Sequence, residues 1–110
     1  YWFNYRHTSD ALAISRALRR HGLSAQDVCV MLVEEYAYDG RNLHAGAMYL
    51  ESGASADVYD GDLPYDVDAV GIEVTPATVL QAITGRQAPG TPWNQRLQSD
   101  EHTSLLVSEC

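Results

Sequence analysis

The chain has 110 residues, seven arginines, no lysine and 15 acidic residues, for a net charge of −8. That length allows one small domain with a modest core, and the acidic balance excludes a general nucleic-acid binder, whose backbone contacts need clustered cations. Two cysteines, Cys29 and Cys110, are too few for a disulfide scaffold and lack zinc spacing, and no apolar run reaches the ~20 residues of a membrane-spanning helix.

The opening stretch, Tyr1-Trp2-Phe3-Asn4-Tyr5-Arg6-His7, concentrates four aromatics, an amide, a guanidinium and an imidazole. Such groups on a loop at the front of a helix are what a ligand site needs. Trp2, Phe3 and Tyr5 are equally suited to a core, with Arg6 and His7 as surface charges. Thr8-Ser9-Asp10 offers helix N-caps, and the spacing of Ala11, Ile14 and Leu18 predicts a helix over about 9–21. Arg16, Arg19 and Arg20 load its C-terminal half, where cations suit the helix dipole, and read as a solvated face. Gly22 supplies a left-handed cap, with Leu23 folding back onto the last turn.

Val28 to Val33 is a short, β-branched apolar run, which predicts a parallel strand buried on both faces. Cys29 within it reads as a small buried hydrophobe. Glu34 and Glu35 fall at the strand's C-terminal end, to cap a loop, meet solvent or bind a cation. No periodicity holds from Tyr36 to Ala56, where Asp39-Gly40, Gly46 and Ser52-Gly53 are turn signals. Asp57-Val58-Tyr59 and Ile72-Glu73-Val74 are strand-like and could pair as a hairpin. Thr75-Pro76 starts a second helix, with Val79, Leu80 and Ile83 on its apolar face and Gly85 at its end. Residues 86–98 read as a loop, and Leu105-Leu106-Val107 as a further short strand. The pattern is α/β with a parallel sheet, in a single domain over residues 1–110.

The motif Trp2-Phe3-Asn4-Tyr5-Arg6-His7 before a helix resembles the end of the first strand in the legumain family of caspase-like cysteine peptidases. Later pieces agree in order: Val30 to Glu35, Arg41-Asn42, Asp66-Val67-Asp68, Glu73-Val74-Thr75, Thr84-Gly85-Arg86 and Arg96 to Glu101. The likeness covers nearly the whole chain and is strongest to the family's GPI-anchor transamidase group. It implies a caspase-like three-layer α/β/α fold with a mostly parallel sheet, incomplete at both ends here. It also implies acyl transfer through a thioester, which cleaves a C-terminal signal and attaches a GPI anchor. The implied setting is the endoplasmic reticulum lumen, within a membrane-associated complex of other transamidase subunits. The implied substrates are the protein's C-terminal signal and the GPI lipid.

The resemblance gives the residues roles. Asn4 matches an Asn that orients the catalytic imidazole, and Arg6 and His7 match positions lining the substrate pocket. Asp66 and Asp68 match acids carried by related transamidases, and with Asp60 and Asp62 they form an acidic loop, solvated or suited to calcium. No other cofactor is implied. The family's base, a His in a Gly-His-Gly-like turn, and its nucleophilic Cys have no counterpart before Cys110, so the chain alone is expected to be inactive. His102 and Cys110 lie at opposite ends of a predicted strand and cannot meet. Tyr38 stands where transamidase relatives often carry a bridging Cys, as in legumain-type endopeptidases. That enzyme class is one alternative, and an inactive piece acting only in partner binding is the other.

Overall fold

The computed structural model describes residues 1–24, 26–50, 57–59, 67–86, 89–90, 97 and 101–102. The elements in chain order are α1 (Tyr5–Arg20), β1 (Met31–Leu32), β2 (Ala69–Val70) and α2 (Pro76–Thr84), with 3-10 turns at Trp2–Asn4 and Gly71–Glu73. The strand expected at 105–107 lies outside the described residues, as do Asp60, Asp62, Asp66 and Cys110.

Helix α1 begins at Tyr5, several residues before the Thr8-Ser9-Asp10 caps. The reason lies in where the two hydroxyls go. Thr8 Oγ1 donates to the Glu34 carbonyl at 3.3 Å, and Ser9 Oγ donates back to the Arg6 carbonyl at 2.9 Å. One hydroxyl is spent on the segment after β1 and the other on the helix's own backbone, so neither caps it. The buried stripe is also rotated from the expected one. It runs through Thr8, Ser9, Leu12 and Ser15, whereas Ile14 is 40% exposed. Small hydroxyl side chains let this face approach the core closely, and Leu12 fills its centre. The rotation carries Arg16 with it: its guanidinium donates to the Asp57 carbonyl, so Arg16 is a cross-brace rather than a solvated charge.

The helix ends as expected. Gly22 has φ of 98°, a value that favours glycine, and the Leu23 N–H returns to the Leu18 carbonyl at 3.2 Å.

Only Met31 and Leu32 of the apolar run form a ladder, and they pair in parallel with Ala69 and Val70. The pairing continues one rung earlier through a side chain. The Val30 carbonyl accepts the Asp68 N–H at 2.8 Å, and Asp68 Oδ2 accepts the Val30 N–H at 2.7 Å. The hairpin between 57–59 and 72–74 does not form. Gly71, at φ of 65°, turns the chain into a 3-10 turn, so Ile72 and Glu73 leave the sheet. Asp57 instead makes an antiparallel bridge with Tyr49, and its carboxylate accepts the Met48 and Tyr59 N–H groups.

Helix α2 follows the sequence closely. Thr75 Oγ1 accepts the Thr78 N–H at 3.1 Å, and Thr78 Oγ1 accepts the Thr75 N–H at 2.8 Å, a reciprocal cap before Pro76. Gly85 closes the helix in the left-handed region. Its most buried residue is Ala82, while Leu80 of the expected apolar face is 60% exposed. The core joins Leu12 of α1, Val28, Val30 and Leu32 around β1, and Tyr36, Ala37, Met48 and Val58 beyond it.

Candidate functional site

The sequence places its chemistry-bearing residues on the first turn of α1, and the fold brings that turn against the C-terminal end of β1. Parallel α/β sheets collect functional groups at this end of their strands. The junction includes these contacts. Thr8 bonds the Glu34 carbonyl, the Tyr36 hydroxyl lies 2.6 Å from the Tyr1 carbonyl, and the Trp2 ring meets the Tyr36 ring edge-on at 5.6 Å. Trp2 also packs edge-on to Tyr5 at 5.3 Å, so three aromatics interlock. Trp2 and Tyr5 are therefore packing residues, while Tyr1 and Phe3 stack on each other in solvent at 5.8 Å.

Asn4 is the residue before α1, and its N–H donates to the Tyr1 carbonyl at 2.8 Å. Its side chain makes no capping hydrogen bond to the helix and is half-buried. An asparagine placed there only to turn or cap the backbone would normally use its amide oxygen on the first turn. Arg6 is exposed and His7 half-buried on that same turn. The three residues thus share one helical start, with Arg6 and His7 in the helix rather than on the expected loop.

Asp68 is far from this group in the topology. It precedes β2 and bonds Val30, which precedes β1, so it sits at the N-terminal end of the parallel pair. One of its carboxylate oxygens serves a backbone amide. Among the described residues, no three His, Cys, Asp or Glu side chains gather as metal ligands.

The two glutamates after β1 both accept hydrogen bonds from tyrosines: Glu34 from Tyr36, and Glu35 from Tyr59 at 2.8 Å. Burial, and then the bond to Glu34, push the Tyr36 hydroxyl up to about 12. Burial and the nearby Asp68 charge push the Cys29 thiol up to about 11, so it is no nucleophile at neutral pH. His102 stands 3.4 Å from Glu101, both at the surface, and Cys110, which was not expected to meet it, is outside the described residues.

A brace that sequence reasoning missed stands beside the site. The Asn42 amide nitrogen donates toward the carbonyls of Tyr36, Ala37 and Ala47 at 3.1, 3.1 and 2.9 Å. The Arg41 guanidinium forks onto Asp39 at 2.9 and 2.8 Å and lies 5.3 Å from the centre of the Trp2 ring. Arg41 holds the Asp39 carboxyl down to about 2. The signal available was the Asp39-Gly40 turn followed by Arg41-Asn42, a pattern in which a side-chain amide can close a loop.

Helices with a parallel strand pair and ionisable groups at its C-terminal end make an α/β arrangement, and the sequence comparisons say which family it belongs to. The sequence matches the Peptidase C13 family over residues 1–107, and the chain belongs to that family. It is 32% identical to a GPI-anchor transamidase of Schizosaccharomyces pombe over 97% of this chain and 28% of that protein. It is 35% identical to a putative GPI-anchor transamidase of Caenorhabditis elegans, covering 97% of this chain and 33% of that one. For the Homo sapiens GPI-anchor transamidase the identity is 33%, over 97% and 27%. The chain therefore spans a third or less of the length of these relatives.

Proposed function

We propose that the chain is the front part of the catalytic domain of a GPI-anchor transamidase, a caspase-like three-layer α/β/α unit whose base and nucleophile come from the rest of the protein. The observation that carries this reading is Asn4, whose side chain stays off the helix backbone at the C-terminal end of the parallel pair. Its amide oxygen is available to accept an imidazole N–H, which fixes the ring's tautomer and tilt as a carboxylate does in serine triads. The family's thiolate sulfur attacks the carbonyl at the cut, the C–N bond breaks, and the imidazolium gives its proton to the leaving amine. The amine of the GPI anchor then attacks the thioester carbon, the imidazole takes the amine's proton, and the new amide forms as the thiolate leaves.

Arg6 and His7 line the pocket for the residue at the cut, where Arg6 offers a fork of fixed donors. The substrates are a protein's C-terminal signal and the anchor lipid. The partners are the other transamidase subunits, and the setting is the endoplasmic reticulum lumen. Among the described residues no helix is long and apolar enough to cross a membrane. Asp68 serves the strand pair in this reading, and no resident cofactor takes part.

The test is complementation. The full-length protein is expressed in cells lacking their own transamidase catalytic subunit, and a GPI-anchored reporter is scored at the surface. Restored anchoring is the expected result. Reporter cleaved but released unanchored would assign a legumain-type endopeptidase instead, and an uncleaved reporter would leave only a binding role.

A further inference from the structure

We propose that Tyr36 is a positioning residue for Asn4, acting through the Tyr1 carbonyl; this rests on the reading of Asn4 given above. The Tyr1 carbonyl is a shared acceptor. It takes the Asn4 N–H at 2.8 Å, which closes the 3-10 turn, and faces the Tyr36 hydroxyl at 2.6 Å. The same hydroxyl also meets the Glu34 carboxylate, so its single proton is shared between two oxygens. Tyr36 is 2% exposed, and its ring is held between Trp2 at 5.6 Å and Tyr5 at 6.3 Å. The side chain that grips the turn therefore has little freedom of its own, which is what a support for a catalytic group requires.

The grip is two-sided. Tyr36 holds the turn before Asn4, and the Glu34 carbonyl holds the helix after it through Thr8. Both holds come from the segment that immediately follows β1, so the strand end sets the position of the amide. An orienting amide must stay within a fraction of an ångström and a few tens of degrees of its working geometry, and misplacement by about 1 Å can cost about a hundredfold in rate. Tyr36 contributes nothing to the chemistry directly. Its effect must pass through Asn4.

That dependence gives the test. Tyr36→Phe keeps the ring and its packing and deletes only the hydroxyl. The full-length protein in its complex is assayed as wild type, Tyr36→Phe, Asn4→Ala and the double variant. The probe is a peptide carrying an apolar C-terminal signal, with a small amine as acceptor, and kcat and KM are read separately after active-site titration. We expect Tyr36→Phe to lower kcat by about tenfold with KM unchanged, and to lower it no further when Asn4 is already Ala. An equal loss in both backgrounds would overturn the proposal, because Tyr36 would then act independently of Asn4. So would full kcat in Tyr36→Phe while Asn4→Ala is slow, which leaves the Asn4 reading intact. If Asn4→Ala itself keeps full kcat, the Asn4 reading fails and the Tyr36 proposal fails with it.

Discussion

Asp68 Oδ2 accepts the Val30 N–H at 2.7 Å and so acts as an extra rung at the N-terminal end of the parallel pair. A backbone amide bonded to a charged acceptor contributes more than a neutral pair, about 1.5–3 kcal/mol. Asp68→Ala should therefore destabilise the fold by about 1–3 kcal/mol, while Asp68→Asn, which keeps an acceptor oxygen, should recover most of it. Urea unfolding of the three proteins measures this. Added calcium should leave the midpoint of the wild type unchanged. A calcium-dependent rise that Asp68→Asn abolishes would show that the carboxylate is a metal ligand instead.

Asn42 ties the loop after β1 together through three carbonyls. Asn42→Ala leaves these partly buried oxygens without that donor, at about 2 kcal/mol in total. Asn42→Asp should be no better, because a carboxylate cannot donate to a carbonyl. Loss should appear first as faster amide exchange at Gly46, whose N–H donates to the Ala37 carbonyl at 2.7 Å. Unchanged exchange there in Asn42→Ala would remove the loop-closing role.

The alkaline limb of stability follows from two raised groups. The Cys29 thiol keeps its proton to about 11 in the folded chain against 9.0 for an ordinary thiol, and Tyr36 to about 12 against 10.0. In that window the folded state binds more protons than the unfolded state, so stability falls as pH rises. Below the lower value of each pair the contribution is fully present. The urea midpoint should be flat from neutral pH to about 9 and then fall, and Cys29→Ala and Tyr36→Phe should each flatten part of the fall. Alkylation followed by peptide mapping should find Cys29 slow at neutral pH. Rapid modification of Cys29 there would contradict its placement.

The parts of the fold that were legible in the sequence are those fixed by local chemistry. Thr75-Pro76 and Gly85 bound α2, and Gly22 with Leu23 ends α1 through backbone and cap geometry alone. The parallel sense of Met31-Leu32 was legible from its continuous apolar run. The start of α1 was not, because Tyr5 and Trp2 are anchored by Tyr36 from beyond β1, and that tertiary contact outweighs the Thr8-Ser9 cap signal. The hairpin failed for a similar reason: strand-like Ile72-Glu73-Val74 follows a glycine whose positive φ turns the chain out of the sheet. Of the candidate site, Asn4, Arg6 and His7 could be picked out by resemblance, but the residues that hold their turn could not. Tyr36 and Thr8 are ordinary core-compatible side chains whose hydroxyls matter only once the chain is folded.

The central claim is that Asn4 orients the base of a cysteine transamidase, and steady-state kinetics of Asn4→Ala in the full-length enzyme test it most directly. An amide supplies orientation but no charge, so its loss should lower kcat by about ten- to a thousandfold and leave KM nearly unchanged. Arg6→Ala should do the reverse, raising KM with a smaller effect on kcat. Both variants should remain folded by circular dichroism. Full turnover in a folded Asn4→Ala enzyme would make Asn4 a turn residue and contradict the account.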